Sequence, residues 1–258
     1  MKIFLSAIEN ATSSKTSNGT IEIAKMIVAE GIKMKYNLMS YYYIRKKINL
    51  ANFIRDNTEE ILIDSGAHSF QFGVKVDFDK YTKEYCEFIK KFDRPNVIGY
   101  FEMDVDNVIG YDKVLELRKK LEEVTDKIIP VWHPNRGIDE FKKMCKEYSG
   151  KIVAITGFAG KEIRDDQYIM FLKCAKQYNC KLHCLGMTRK KVLDKVPFDY
   201  VDSSSWVQAG VFGRIGNKGK VTKEFSKNKR QIVFVENYKE AMKKQTHYYN
   251  KWRKVCKD

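Results

Sequence analysis

The chain has 258 residues, 43% hydrophobic and 31% charged, which is enough apolar material for one ordinary core and too much for a disordered segment. Its 48 Lys and Arg against 33 Asp and Glu leave a formal charge of +15, which points to a polyanionic partner, nucleic acid first, although a Lys-rich surface from an AT-rich genome gives the same balance. The six scattered cysteines form neither a paired CxxC pattern nor a secreted disulfide framework, the opening MKIFLSAIEN reaches Glu9 before a signal-peptide core forms, and no apolar stretch approaches the ~20 residues of a membrane span, so a soluble, cytoplasmic protein with reduced thiols is expected.

In chain order, short apolar runs recur at 2–7, 37–43, 61–64, 97–104, 128–133, 151–157, 181–186 and 199–202. Each is followed by a polar turn and then a stretch with helical spacing. Eight such strand–helix units predict an α/β fold, a (β/α)8 TIM-type barrel over residues 1–209 whose site lies where the strands end. Helices are predicted at 20–32, 77–92, 111–124, 138–148 and 163–178, where apolar residues lie three and four apart, with Asp77 as a cap. Beyond the last strand come a glycine-bearing stretch, 210–219, and a basic run, 218–230, that sets Lys218, Lys220, Lys223, Lys227, Lys229 and Arg230 against Glu224 alone. A short strand at 232–235 and a helix at 236–255 complete an appendage, 210–258, packed on the barrel.

The third run ends ILIDSGAHSFQFG, which puts Asp64 at the barrel mouth with Ser65 and Gly66 as small neighbours that let a substrate approach. The fourth ends YFEMDVDN, where period-two alternation sets Glu102, Asp104 and Asp106 on one side; the oxygens of Asp104 and Asp106 would also suit magnesium or calcium. His133 ends the fifth run, where it either meets a polar edge of a substrate or serves the structure. In the sixth, KIVAITGFAGKE, Gly157 and Gly160 flank Phe158, an apolar platform beside free backbone N–H groups that suits a flat heterocycle. The seventh, HCLGMT, contributes Gly186. In the eighth, FDYVDSSSW, alternation separates Asp199 from Asp202; the later residue reaches the rim, and Trp206 is placed to close the pocket.

Asp-Ser-Gly at the third strand end, MDVD at the fourth, AITGFAGKE at the sixth, LGM at the seventh and DYVDSSSW at the eighth together resemble, in order and spacing over residues 60 to 210, the guanine transglycosylase family. Those barrel enzymes exchange a guanine in nucleic acid for a 7-deazaguanine. The resemblance implies Asp202 as nucleophile, Asp64 as general acid/base, Asp104 as reader of the guanine N1 and exocyclic amine, and Gly157-Phe158 as the base-binding loop, with Ser65 and Gly186 beside the substrate. His133 stands where the family usually has a glutamine. The CxCxxC zinc site of the tRNA enzymes is missing, and their Pro-Thr-Arg after the nucleophile is replaced by Ser203-Ser204-Ser205-Trp206. Both departures resemble the compact phage and genomic-island branch that modifies DNA.

The implied partners are nucleic acid, DNA before tRNA, and a free 7-deazaguanine such as 7-cyano-7-deazaguanine, with a partner protein as a further option. No metal, nucleotide triphosphate or redox cofactor is called for, and Arg214 joins the basic run as a phosphate contact. The alternatives are a tRNA-guanine transglycosylase, a non-catalytic nucleic-acid-binding paralogue, a glycoside hydrolase using the same carboxylate pair, and a metal-dependent hydrolase using Asp104, Asp106 and His133.

Overall fold

The computed structural model describes residues 1–11, 17–70, 76–157, 163–215 and 227–256. Nine parallel strands form a nearly closed barrel: β1 (Lys2–Ser6), β2 (Met34–Ser40), β3 (Thr58–Asp64), β4 (Val97–Phe101), β5 (Ile128–Ile129), β6 (Val131–Trp132), β7 (Ile152–Thr156), β8 (Lys181–Leu185) and β9 (Tyr200–Ser203). Their hydrogen-bonded order is β5-β4-β3-β2-β1-β9-β8-β7-β6. The two ends of that order, β5 and β6, are one extended stretch interrupted at Pro130. Proline brings no N–H to a ladder, so β5 pairs with β4 and β6 with β7, while the Pro130 carbonyl still accepts from Ala154 N at 2.9 Å. The eightfold strand–helix reading holds, with its fifth strand split.

Alternation along the strands fills the barrel. Phe4, Tyr36, Leu38, Leu62, Phe101, Ile129, Val131, Ala154 and Tyr200 form a closed interior cluster, while their sequence neighbours face the helices in a second, larger core. Between the strands lie α1 (Ser17–Ala29), α2 (Tyr41–Ile44), α3 (Ile48–Asp56), α4 (Phe78–Phe92), α5 (Asp106–Ile109), α6 (Tyr111–Glu122), α7 (Gly137–Glu147), α8 (Tyr168–Gln177) and α9 (Lys190–Leu193), and after the last come α10 (Ser205–Val211) and α11 (Lys227–Trp252). Asp77 caps α4 as expected, accepting from Lys80 N at 3.0 Å. All six cysteines are free thiols, and among the described residues no helix is long and apolar enough to cross a membrane.

Several elements differ from the sequence reading. The second strand stops at Ser40, and residues 41–43 open α2 instead. Residues 232–235 are not a strand but belong to α11, because Val233, Phe234, Tyr238, Gln245 and Tyr248 recur at helical spacing and are all buried in one face. That face lies on the outer wall of the barrel: Gln245 Nε2 donates to the carbonyls of Ile3 at 2.7 Å and Tyr36 at 3.0 Å, and Tyr238 Oη donates to Asn37 Oδ1 at 3.1 Å. Tertiary burial here overrides the strand preference of an Ile-Val-Phe-Val run.

Candidate active site

The inward-facing positions at the ends of β1, β2, β3 and β9 are Ser6, Ser40, Asp64 and Asp202, and they meet at one mouth. Asp202 is 9% exposed and gathers three donors: Ser6 Oγ reaches its Oδ2 at 3.0 Å, while Gly186 N at 2.9 Å and His183 Nε2 at 3.0 Å share its Oδ1. The carboxylate is thereby locked in one orientation. Gly186 has φ of +64°, a left-handed turn that aims its N–H at Asp202.

His183 is fully buried among the rings of Phe4, Phe101 and Tyr200. Its Nδ1 has no hydrogen-bond partner. An Nδ1–H in that apolar setting would leave a donor unsatisfied, whereas an Nε2–H is satisfied by donating a hydrogen bond to Asp202. Sequence reasoning passed over this residue, although alternation from Lys181 turns it inward two places before the strand end.

Asp64 sits opposite, next to Ser40 in the strand register. It accepts from Gly66 N at 2.9 Å, and burial is the main reason its pKa is raised to about 7, with the nearby charges of Asp104 and Asp202 adding to the shift. A second buried acid stands behind it: Glu9, just after β1, accepts from Ser40 N at 2.9 Å and is also raised to about 7, again chiefly by burial. Its Oε2 has no partner. Glu9 carried no signal in the sequence beyond its place after the first strand.

The fourth strand ends at Phe101, and the alternation expected to align Glu102, Asp104 and Asp106 stops with it. Glu102 is fully buried and paired, its Oε2 with Arg118 Nε at 2.5 Å and its Oε1 with Val131 N at 2.7 Å and Arg136 at 3.5 Å. Asp106 opens α5 and receives Arg136 Nε and Asn135 Nδ2, each at 3.1 Å; burial would raise its pKa, but Arg136 outweighs that and holds it low. Asp104 alone turns to the mouth, 3.3 Å from His133 Nε2. Burial pushes Asp104 up against the pull of His133. In His133 burial pulls the pKa down, and the bond and charge of Asp104 overcome it and hold it above the ordinary histidine value. Among the described residues no group of three His, Cys, Asp or Glu side chains is arranged to hold a metal ion.

Other sequence-predicted positions divide. Ser65 is fully buried, its carbonyl accepting from Tyr81 Oη at 2.8 Å and its Oγ from Ala67 N at 3.4 Å. Gly157 is required by packing: a Cβ there would lie 2.4 Å from the Leu185 carbonyl oxygen, where β7 and β8 approach. Trp206 does not close the pocket. It is 4% exposed, donates from Nε1 to the Ser6 carbonyl at 3.0 Å and meets Tyr238 edge to face, because α10 folds back onto α11. Arg214 and Arg230 lie together where α10 meets α11. Phe158, Gly160, Lys218, Lys220 and Lys223, with the side chains of Lys227 and Lys229, lie outside the described residues. No protein-family model, curated protein or solved structure matches the chain.

Proposed function

We propose that the chain is a base-exchange transglycosylase of the guanine transglycosylase type, which replaces guanine in nucleic acid, DNA before tRNA, with a 7-deazaguanine. One observation carries the reading: two aspartates from strands at separate points of the barrel share a mouth, one fixed by three hydrogen-bond donors and the other held protonated up to about pH 7. Such a pair is what a double displacement at a glycosidic carbon asks for.

Asp202 Oδ attacks the sugar carbon; the C–O bond forms as the C–N bond to guanine breaks. Asp64 gives its proton to the departing base. The incoming 7-deazaguanine then attacks the same carbon through its ring nitrogen, returns a proton to Asp64 and releases Asp202. Two inversions keep the β linkage. Asp104, held by its hydrogen bond to His133, accepts hydrogen bonds from the N1–H and exocyclic amine of the base. A stacked base cannot present its glycosidic carbon to this mouth, so the target nucleotide is flipped or single-stranded.

The test is incorporation of labelled guanine into duplex DNA or tRNA. Label should enter DNA in preference to tRNA, and Asp202→Asn should abolish it while nucleic-acid binding persists. Wild-type protein that labels neither polymer would refute the reading.

A further inference from the structure

The most exposed large apolar side chain among the described residues is Phe212, at 65%, and it stands at the C-terminal end of the helix that follows the Asp202 strand. Val211, before it in the chain, and Ile232, on α11, are about half exposed. Three contacts hold this corner in place. A Cβ on Gly210 would lie 2.4 Å from the Phe234 ring, so the glycine lets α10 seat directly on α11. Arg230 Nη2 donates to the Val211 carbonyl at 3.3 Å, and Asn237 Nδ2 donates to the Arg214 carbonyl at 2.6 Å. Phe212 is therefore presented outward on a braced support, with the Arg214 guanidinium 6.0 Å from its ring centroid.

The corner belongs to the catalytic end of the barrel. Tyr238 bonds Asn37, which pairs with Leu5 near the end of β1. Since Gln245 bonds Ile3, α11 runs against the strands. At ~1.5 Å per helical residue Arg230 lies ~12 Å further toward the mouth than Tyr238. Only one residue of β1 remains beyond Leu5, ~3.3 Å of strand, so the first turns of α11 and the end of α10 packed on them stand above the strand ends. Phe212 is ~11 Å of helix from Ser205, itself three residues after Asp202.

An aromatic ring held outward, flanked by two arginines, at the rim of a mouth that needs an unstacked nucleotide, matches the chemistry of a base-stack wedge. We propose that Phe212 enters the stack of a duplex at the position vacated by the flipped target base, while Arg214 and Arg230 neutralise the flanking phosphates. That the mouth takes a flipped nucleotide rests on the transglycosylase reading; the insertion is read out separately from base exchange. The wedge replaces the stacking that the flipped base gives up, so its loss weakens duplex binding and spares a strand that needs no unstacking.

The test uses randomised oligonucleotides carrying 2-aminopurine, whose fluorescence rises on unstacking, as duplex and as single strand. Wild-type protein should raise duplex fluorescence on binding. Phe212→Ala should lose that rise and about tenfold in duplex affinity, with single-strand affinity within about twofold, and Phe212→Trp should restore both. Arg214→Ala combined with Arg230→Ala should flatten the salt dependence of binding to both forms. A wild-type complex without the fluorescence rise, or a Phe212→Ala variant equal to wild type on duplex, would overturn the proposal. If the wedge behaves as expected and no labelled guanine is incorporated, the insertion stands and the transglycosylase reading falls.

Discussion

Replacing Asp64 by Asn should stabilise the protein at alkaline pH and leave it nearly unchanged in acid. In the unfolded chain this carboxyl loses its proton near its ordinary value of 3.8; in the folded protein, buried beside Asp104 and Asp202, it keeps the proton to about 7. Between those values the folded state binds more protons than the unfolded one, so wild-type stability falls as pH rises. Roughly three pH units at ~1.4 kcal/mol per unit give ~4 kcal/mol, an upper figure because the mouth relaxes and neighbouring charges titrate too. Asparagine keeps an acceptor for the Gly66 N–H at 2.9 Å and carries no charge, so it avoids the penalty. Urea midpoints of wild type and Asp64→Asn across about pH 4 to 9 should diverge progressively up to about pH 7 and then run parallel, the variant being the more stable. A difference independent of pH, or a variant less stable in alkali, would refute the account of a buried, protonated Asp64. Glu9→Gln should behave in the same direction, and less than additively with Asp64→Asn, because each carboxyl feels the other.

Three further outcomes test other parts of the structure. His183→Leu should fold but lose on the order of a hundredfold in exchange rate, since it frees the Asp202 carboxylate from one of its three donors; an unchanged rate would show that the imidazole does not position it. Gly157→Ala should cost ~1–3 kcal/mol, read as a lowered urea midpoint, because the backbone oxygen of Leu185 cannot move aside as a side chain would. Glu102→Gln should cost ~3–5 kcal/mol by leaving the buried Arg118 beside a neutral group, while Arg136 keeps Asp106; a loss under ~1 kcal/mol would show that the pair contributes little.

Asp64 and Asp202 were legible as a facing pair because each ends an apolar strand, and the strand period fixes which side chain turns inward. The same rule placed Ser6, Ser40 and His183 inward as well, but serine and histidine in mid-chain carry no charge pattern to single them out. Glu102 and Asp106 misled for the opposite reason: their charges drew attention, yet the strand ends one residue earlier and their partners, Arg118 and Arg136, come from distant elements. Residues 232–235 have strand propensity and fold as helix, since the apolar face that decides the matter runs on to Tyr248 and is recognisable only when the outer wall of β1 and β2 is there to receive it. Trp206 looked like a lid because it closely follows Asp202, and the fold of α10 against α11 turns it away.

The most direct test of the central claim, that Asp202 carries the sugar during exchange, is to quench a reaction on DNA in denaturant and look for protein joined to the strand. Wild-type protein should give a covalent adduct whose attachment maps to Asp202 and which added 7-deazaguanine discharges, and Asp202→Asn should give none. An adduct at another residue, or one that persists in Asp202→Asn, would contradict the assignment.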